Sequence, residues 1–465
     1  MTNLAKLPFN FKSINKDYLI SNLAGQHQFM KEEDFIKVID SDFCELDPKI
    51  LASLESKSFL TPENQLGLRE KIISSRLATR IYDSLSPPSL FMVVPTLRCD
   101  HDCNYCQVSR VDMDAQGYDL DEEHIDNIIK HIRFLSREFV KIEFQGGEPL
   151  VNFLFIKKFV SKAKTALKDK KLNFVIATAL GPITDEIIKW ISSEKIHLSI
   201  SIDGIESIHN SNRPSKLFNS FKNTTQIIRK IRDSYPDIQL SALTTVTKLS
   251  LTSPENVIKP YIDLGFKELF IRPLSPYGFA VDTWKKLGYT AEEFFIFYEK
   301  VLDIAIDNDL IEYSALLHLN RIFKRSASHV DLKSPAGVLF GAVCFDYSGN
   351  IFGSDESRML YKTTESKELI LGHISDSPKD ICTNENLTTI LKDTFIELNP
   401  GCCDCAYNQF CGADPIYHLS SQGDLIGDKS KSFFCQIEMK MFDLIFEKYY
   451  TNSNYFKKFN KWLVI

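Results

Sequence analysis

The chain has 465 residues, 44% of them apolar and 25% charged, with a formal net charge of −6. That balance suits a globular protein of about two to four domains and gives no basic field for nucleic acid or an anionic membrane. No apolar run approaches the roughly 20 residues of a membrane span. The opening "MTNLAKLPFNFKSINKD" lacks the long apolar core of a signal peptide, so the expected location is the cytosol. In a reducing compartment clustered cysteines point to metal rather than to disulfides. The 11 cysteines include two clusters, while Cys44 and Cys382 stand alone and read as buried apolar thiols.

Residues 1–85 read as a small α+β module. "YLISNLAGQHQFM" predicts two short strands around a turn at Ala24-Gly25, "KEEDFIKVI" and "DPKILASLES" predict short helices, and "SLSPPS" punctuates the end. Residues 86–280 repeat a strand followed by a helix. The strand segments are "SLFMVVP", "VKIEFQ", "LNFVIAT", "IHLSISID", "IQLSALTTVT" and "KELFIRPL", six in all. Near-continuous apolar runs of this kind suit strands buried on both faces, and the alternation predicts a parallel sheet with right-handed crossovers. A partial barrel and an open doubly wound sheet both satisfy the pattern, and both put chemistry at the C-terminal ends of the strands.

Residues 281–340 predict a helical bridge through "AEEFFIFYEKVLDIAIDND" and "SALLHLNRIFKR". Residues 341–446 read as loop-rich and carry the second cysteine cluster, and 447–465 form a tail. There is no solenoid repeat. The chemically interesting residues gather at the strand ends. A cysteine triplet follows the first strand, "QGGEPL" (Gln145 to Leu150) the second, Thr178 ends the third, Ser201 and Asp203 the fourth, and Arg272 the sixth. Independent motifs converging on one rim reinforce each other.

The triplet lies in "RCDHDCNYCQVSR" as Cys99, Cys103 and Cys106. Three thiolates holding an iron-sulfur cube leave one iron open to a small chelating molecule. The alternatives are zinc with a borrowed fourth ligand such as His101, or an electron-transfer cluster. Zinc ribbons use paired two-residue spacings, and ferredoxin runs supply a fourth cysteine nearby.

The spacing, with Tyr105 before the last cysteine, resembles the signature of the radical S-adenosylmethionine (radical SAM) superfamily. "GGEP", Gly146 to Pro149, resembles that family's second motif, which binds the amino group of S-adenosylmethionine. Glycines let backbone approach a ligand, and Glu148 supplies negative charge near an ammonium. The resemblance implies a partial (β/α)6 TIM-barrel core with a [4Fe-4S] cluster on the triplet and S-adenosylmethionine at Gly146, Gly147, Glu148 and Thr178. "FQGGEPL" and "SISIDGIESIHNSNRP" are similar to the sulfatase-maturase and peptide-maturase branch. By that likeness Gln145 and Ser201 contact S-adenosylmethionine, and Asp203 and Arg213 line the cavity. "ATALG" departs from the branch's Thr-Asn-Gly at Ala179 and Leu180, which puts contacts from that loop in doubt.

Cys402, Cys405, Cys411 and Cys435 resemble the auxiliary-cluster set of SPASM domains, which implies an auxiliary [4Fe-4S] cluster; structural zinc on the same thiolates is the alternative. The family's other auxiliary site looks broken, since Cys344 remains but Ser354 and Pro415 stand where cysteines would. Asp355 matches the aspartate that acts as a general base in sulfatase maturases, and it also reads as a turn or capping residue in "SDES". "RCDHDCNYCQVSR", "RPLSPYGFA", "SDESRML" and "CGADP" with "SSQGDLIGDKSKSFFC" together resemble the larger radical maturase of the His-Xaa-Ser peptide system. That likeness implies a ribosomally made precursor peptide as substrate. It also implies a second radical maturase as partner, a flavodoxin or ferredoxin as electron donor, and a leader-binding, winged-helix-like role for residues 1–85. The module's plain alternative is a packing extension of the barrel. Two other readings of the whole chain compete: a radical enzyme acting on a small molecule, and a zinc-stabilised binding protein without catalysis.

Overall fold

A computed structural model describes residues 3–324, 340–412 and 414–464. The N-terminal module is built from β1 (Leu4–Lys6), β2 (Asn10–Ile14), β3 (Asp17–Ser21), β4 (His27–Lys31) and β5 (Leu60–Pro62) with three helices, Glu32–Asp40, Pro48–Ser56 and Leu66–Ser84. β2, β3 and β4 form an antiparallel sheet, and β5 pairs with β1. The module has its own core, centred on Ile20, Met30, Phe35, Val38, Leu54 and Phe59. The strand at Asn10–Ile14 and the helix at Leu66–Ser84 carry no clear sequence period and are additions to the expected elements.

The six expected strands are β6 (Leu90–Thr96), β7 (Phe139–Gly146), β8 (Lys171–Thr178), β9 (His197–Ser201), β10 (Leu240–Thr245) and β11 (Glu268–Arg272). They lie parallel and in sequence order. No reversal of strand order occurs, which selects the partial barrel over the doubly wound sheet. β12 (Ile311–Glu312) extends one edge. On the other edge β13 (Ala342–Phe345) lies parallel to β6, and β14 (Asn350–Phe352) and β15 (Ile370–His373) follow antiparallel. The C-terminal region thus shares the barrel's sheet.

The crossover helices cover the outer face. In Ile125–Leu135 the buried residues Ile125, Ile128, Ile129 and Ile132 recur at helical spacing. Asp185–Glu194 is capped by Thr184, whose side chain accepts from the Ile187 N–H, and Lys195 ends it in the left-handed region at φ 56°. The inner face is different. On β7 Val140, Ile142 and Phe144 are completely buried toward the helices, while Lys141, Glu143 and Gln145 face a cavity of about 660 Å³. β9 repeats the pattern, with Leu198 and Ile200 outward and His197 and Ser199 on the cavity. The expectation of strands apolar on both faces is corrected here, because an incomplete barrel keeps a wet lumen. Burying Ile142 and Phe144 against the helices contributes about 1.5–3 kcal/mol each.

Beyond the barrel, helices run over Phe279–Leu287, Ala291–Asp307 and Tyr313–Leu319. The part of the expected helical bridge at 325–339 lies outside the described residues. The later region holds more regular structure than its loop-rich reading. Besides β13 to β15 it has the helices Asp355–Thr364, Glu385–Thr394, Pro415–Gln422, Phe433–Thr451 and Ser453–Val464. Phe433–Thr451 runs through the expected boundary at 446 and 447. The cysteine segment itself, 400–410, is built of turns. Cys44 and Cys382 are both exposed, against the buried reading, since each lies in a short surface helix.

Candidate active site

The triplet sits on the loop after β6, and backbone bonds pin that loop from several sides. Cys99 N–H donates to Val111 O (3.1 Å), Asp102 N–H to Pro214 O (2.7 Å), Asn104 N–H to Asn212 O (3.0 Å) and Cys106 N–H to Cys103 O (3.1 Å). Gly147 N–H donates to Thr96 O (3.0 Å) and Glu148 N–H to Arg98 O (2.8 Å). A Cβ on Gly146 would strike Thr96 O, and one on Gly147 would strike the carbonyls of Leu97 and Arg98. The two glycines are therefore required by the close approach of β7 to the cysteine loop, in addition to any ligand.

The three thiols are held in low-dielectric surroundings. Burial pushes Cys103 up to about 12, raises Cys99 well above its usual range with help from Cys103 and Glu148, and raises Cys106. Crowded half-buried thiols of this kind ionise when a bound cation is present to take up their charge. Arg213 supplies part of that charge, its guanidinium lying 3.9 Å from Cys103 Sγ. Cys99, Asp100 and His101 also place one ligand atom each within 4.8 Å of one another. His101 is nevertheless engaged at both ring nitrogens, Nδ1 with Asp100 (2.7 Å) and Nε2 with Ser220 (2.8 Å). It has no nitrogen left for zinc. The donor set fits an iron-sulfur cube on three thiolates better than zinc with a borrowed histidine.

The His101 contact belongs to a chain whose direction can be derived. Asp203 N–H can only donate, so His209 Nδ1 accepts (3.1 Å). His209 Nε2 then carries the proton and donates to Ser220 Oγ (2.9 Å). The Ser220 hydroxyl donates to His101 Nε2, and His101 Nδ1–H donates to the Asp100 carboxylate. All five residues are buried. Asp100 in turn lies against Gly181, where any side chain would collide with its carboxylate. Sequence reading missed this chain: four of its members lie within the quoted motif stretches, but Ser220, which joins the two histidines, lies outside them and only the fold brings it between them.

Glu148 is buried and accepts from Thr178 Oγ1 (2.8 Å), Ala179 N–H (2.8 Å) and Leu150 N–H (3.1 Å). Burial, reinforced by Asp100, pushes its carboxyl up to about 8. Ala179, a departure from the family pattern, contributes through its backbone, so its side chain is immaterial to that contact. Gln145 lines the cavity and donates to Glu143 Oε1 (2.8 Å). Ser201 ends β9 and is partly exposed. Asp203 is completely enclosed, accepting from Tyr105, Arg213 Nε (3.0 Å) and Thr245 N–H (3.2 Å). The structure brings Asp203 and Arg213 together beneath the cysteine loop; the lining of the 660 Å³ cavity includes Gln145 but neither of these two.

Asp355 does line that cavity, with Arg272 and Tyr277. It opens the helix Asp355–Thr364, but the cap is Ser354, which accepts from Ser357 N–H (3.1 Å). Asp355 instead pairs with the fully buried Arg358 (Nε to Oδ1, 2.8 Å) and lies 4.0 Å from Cys344 Sγ. The capping alternative is thereby assigned to its neighbour. Pro415 begins a helix capped by Asp414.

Cys402, Cys405, Cys411 and Cys435 surround a second cavity, of about 470 Å³. Burial pushes Cys402 and Cys435 each up to about 11, raises Cys405, and raises Cys411 well above its usual range. Cys403 is exposed and does not line this cavity. Four thiols lining one cavity suit a tetrathiolate group.

A model of the Radical SAM superfamily matches residues 93–256. An uncharacterised protein of Methanocaldococcus jannaschii is 31% identical over 39% of this chain and 61% of its own length. The chain thus spans about three-fifths of that relative. The cysteine-type anaerobic sulfatase-maturating enzyme of Clostridium perfringens (strain 13 / Type A) is 20% identical over 80% of this chain and 100% of that enzyme. Among solved structures, native anSMEcpe with bound AdoMet superposes with a TM-score of 0.64 at 17% identity, covering 80% of this chain and 99% of the other. SuiB of Streptococcus suis bound to precursor peptide SuiA gives 0.55 at 11% identity, covering 90% and 97%. These likenesses and the sheet order bear out the expected fold, a parallel α/β core followed by a C-terminal domain. Among the described residues no helix is long and apolar enough to cross a membrane.

Proposed function

We propose, from the premise that residues 93–256 form a domain of the radical SAM superfamily, that the chain is an enzyme that matures a ribosomally made precursor peptide. Cys99, Cys103 and Cys106 would hold the [4Fe-4S] cluster that meets S-adenosylmethionine, and Cys402, Cys405, Cys411 and Cys435 the auxiliary one. When bound, the first cluster supplies the electron that splits S-adenosylmethionine to a hydrogen-abstracting 5'-deoxyadenosyl radical, and the second supplies a one-electron acceptor. Glu148, held by Thr178 and Ala179, would face the ammonium of S-adenosylmethionine. Gln145, Gly146, Gly147 and Ser201 would shape its site. Asp203 and Arg213 would keep the loop of Cys103 in place from beneath. Asp355, on the wall of the large cavity, would take the proton lost by the substrate.

The observation that carries the reading is the pair of half-buried thiol sets, three on the barrel rim and four around a separate cavity. The peptide as substrate is supported by likeness to SuiB, solved with its precursor peptide SuiA, and to anSMEcpe, solved with the Cp18Cys peptide. A His-Xaa-Ser peptide, a partner radical maturase and a flavodoxin or ferredoxin donor complete the proposal, with the N-terminal module as leader binder. The test is co-expression with neighbouring short open reading frames, followed by mass spectrometry of the peptides. Asp355→Asn is expected to spare S-adenosylmethionine cleavage and to stop product formation, with deuterium from labelled peptide still reaching 5'-deoxyadenosine. Modified peptide formed at the parent's rate assigns the base elsewhere; loss of cleavage as well assigns Asp355 to folding or binding.

A further inference from the structure

The 470 Å³ cavity is not closed by its own lobe alone. Phe11 and Lys12 of β2 stand on its wall beside the four cysteines. β2 is fixed there by its own side chains. The Asn10 amide donates to the carbonyls of Cys403 (3.0 Å) and Cys405 (3.1 Å), on both sides of the turn that carries Cys405. From β3, Ser21 Oγ donates to Ala406 O (2.6 Å). From β4, Phe29 stacks flat on Tyr450 with centroids 5.1 Å apart, and the His27 ring packs edge-on against Phe410 and Phe446. A strand about 390 residues away in sequence therefore holds the cysteine turn through side-chain bonds to its main-chain carbonyls.

The charges on this wall are unevenly sourced. Lys429 belongs to the cysteine lobe, whereas Lys12 comes from the N-terminal module. Lys12 Nζ lies 3.5 Å from Asp443 and 5.8 Å from the centre of the Tyr407 ring, a cavity-lining residue. An electron added to a tetrathiolate cluster increases negative charge in a partly buried space, where a neighbouring ammonium counts for more than in water.

We propose that β2 is one wall of the second cysteine site and that Lys12 raises the reduction potential of the cluster held there, so that the N-terminal module and the second redox centre act as one unit. The inference rests on the reading of that site as an iron-sulfur site. Removing the ammonium would favour the oxidised cluster, and the Asp443 carboxylate left behind would act in the same direction.

The test uses the full chain with Cys99, Cys103 and Cys106 all changed to Ala, reconstituted anaerobically with iron and sulfide, so that one cluster is read. Iron per chain is measured, and the midpoint potential is followed by EPR during a mediated dithionite titration. Lys12→Met is expected to shift the midpoint to more negative values, Lys12→Arg to leave it near the parent, and Asp443→Asn to shift it to more positive values. Equal midpoints in all four chains at equal iron content overturn the inference and leave the cluster reading standing. A parent that binds stoichiometric zinc and shows no reducible cluster overturns both. Should Lys12→Met fail to load iron, Asp443→Asn, which keeps Lys12, decides: an unmoved midpoint overturns the assignment.

Discussion

The two cysteine sites solve opposite problems. The rim site is made by strand ends of one continuous sheet, its loop pinned by main-chain bonds to residues 111, 147, 148, 212 and 214. Within the barrel Arg213, paired with Asp203, favours its thiolates, whereas the carboxylate of Glu148 at its edge opposes them. The second site is made by turns and the start of one helix, and its enclosure is finished by a strand from the far end of the chain. A site that must present an open position to a small molecule is placed on the stiffest part of the fold. A closed site can be assembled from pieces, because its metal group supplies much of the folding free energy itself.

The sharpest way to break the comparison is to empty each site in turn. Changing Cys99, Cys103 or Cys106 to Ala is expected to abolish S-adenosylmethionine cleavage, read as 5'-deoxyadenosine formed from dithionite. Changing Cys402, Cys405, Cys411 and Cys435 together should leave about half of roughly eight irons per chain. It should also lower the melting temperature, which the triplet variants should do less. Iron near twelve per chain would contradict the two-site account.

A smaller effect tests the rim's electrostatics. In metal-free protein Glu148 keeps its proton up to about pH 8, whereas in the unfolded chain it loses it near 4.5. The folded state therefore binds the extra proton between those values. The stability this contributes is fully present below pH 4.5 and is lost as the pH rises to about 8. Glu148→Gln should flatten that decline in thermal melts of the metal-free protein; an unchanged slope would show that Glu148 is ionised throughout.

The smallest expected effect concerns the histidine chain. Ser220→Ala leaves His101 without a donor and His209 without an acceptor, at a cost of about 1–3 kcal/mol. Iron retention should fall at the rim site and hold at the second. Ser220→Thr, which keeps the hydroxyl, should restore it. Equal loss at both sites would mean a general loss of folding.

What was legible in the sequence was contiguous. The triplet, "GGEP" and the six strand segments each announce themselves within a few residues. The polar lumen was legible too, in the alternation of Lys141, Glu143 and Gln145 with Ile142 and Phe144, but the apolar content of the other strands masked it. Contacts made across long separations left no local signal. Nothing in "AVCF" says that β13 will lie beside β6, and nothing in "NFKSI" says that Asn10 will bond to the carbonyls around Cys405. The histidine chain is hidden for the same reason. Serine and histidine are common residues, and only their meeting in space gives them a role.

The tie between Cys106 and Phe279 has a consequence in time. Phe279 N–H donates to Cys106 O at 2.8 Å, and Gly278, at φ 54°, sits so close that a Cβ would strike Gln107 O. The rim loop thus acquires its last main-chain bond from a residue made about 170 positions later. At synthesis rates of about 5–20 residues per second, roughly 9 to 35 s separate the two on the ribosome. The neighbouring strand β13, at Ala342–Phe345, emerges later still. Three free thiols therefore pass through synthesis without their final frame, open to oxidation or to the wrong metal. Correct loading belongs to the finished chain, and expression under air should damage this site in proportion to that wait.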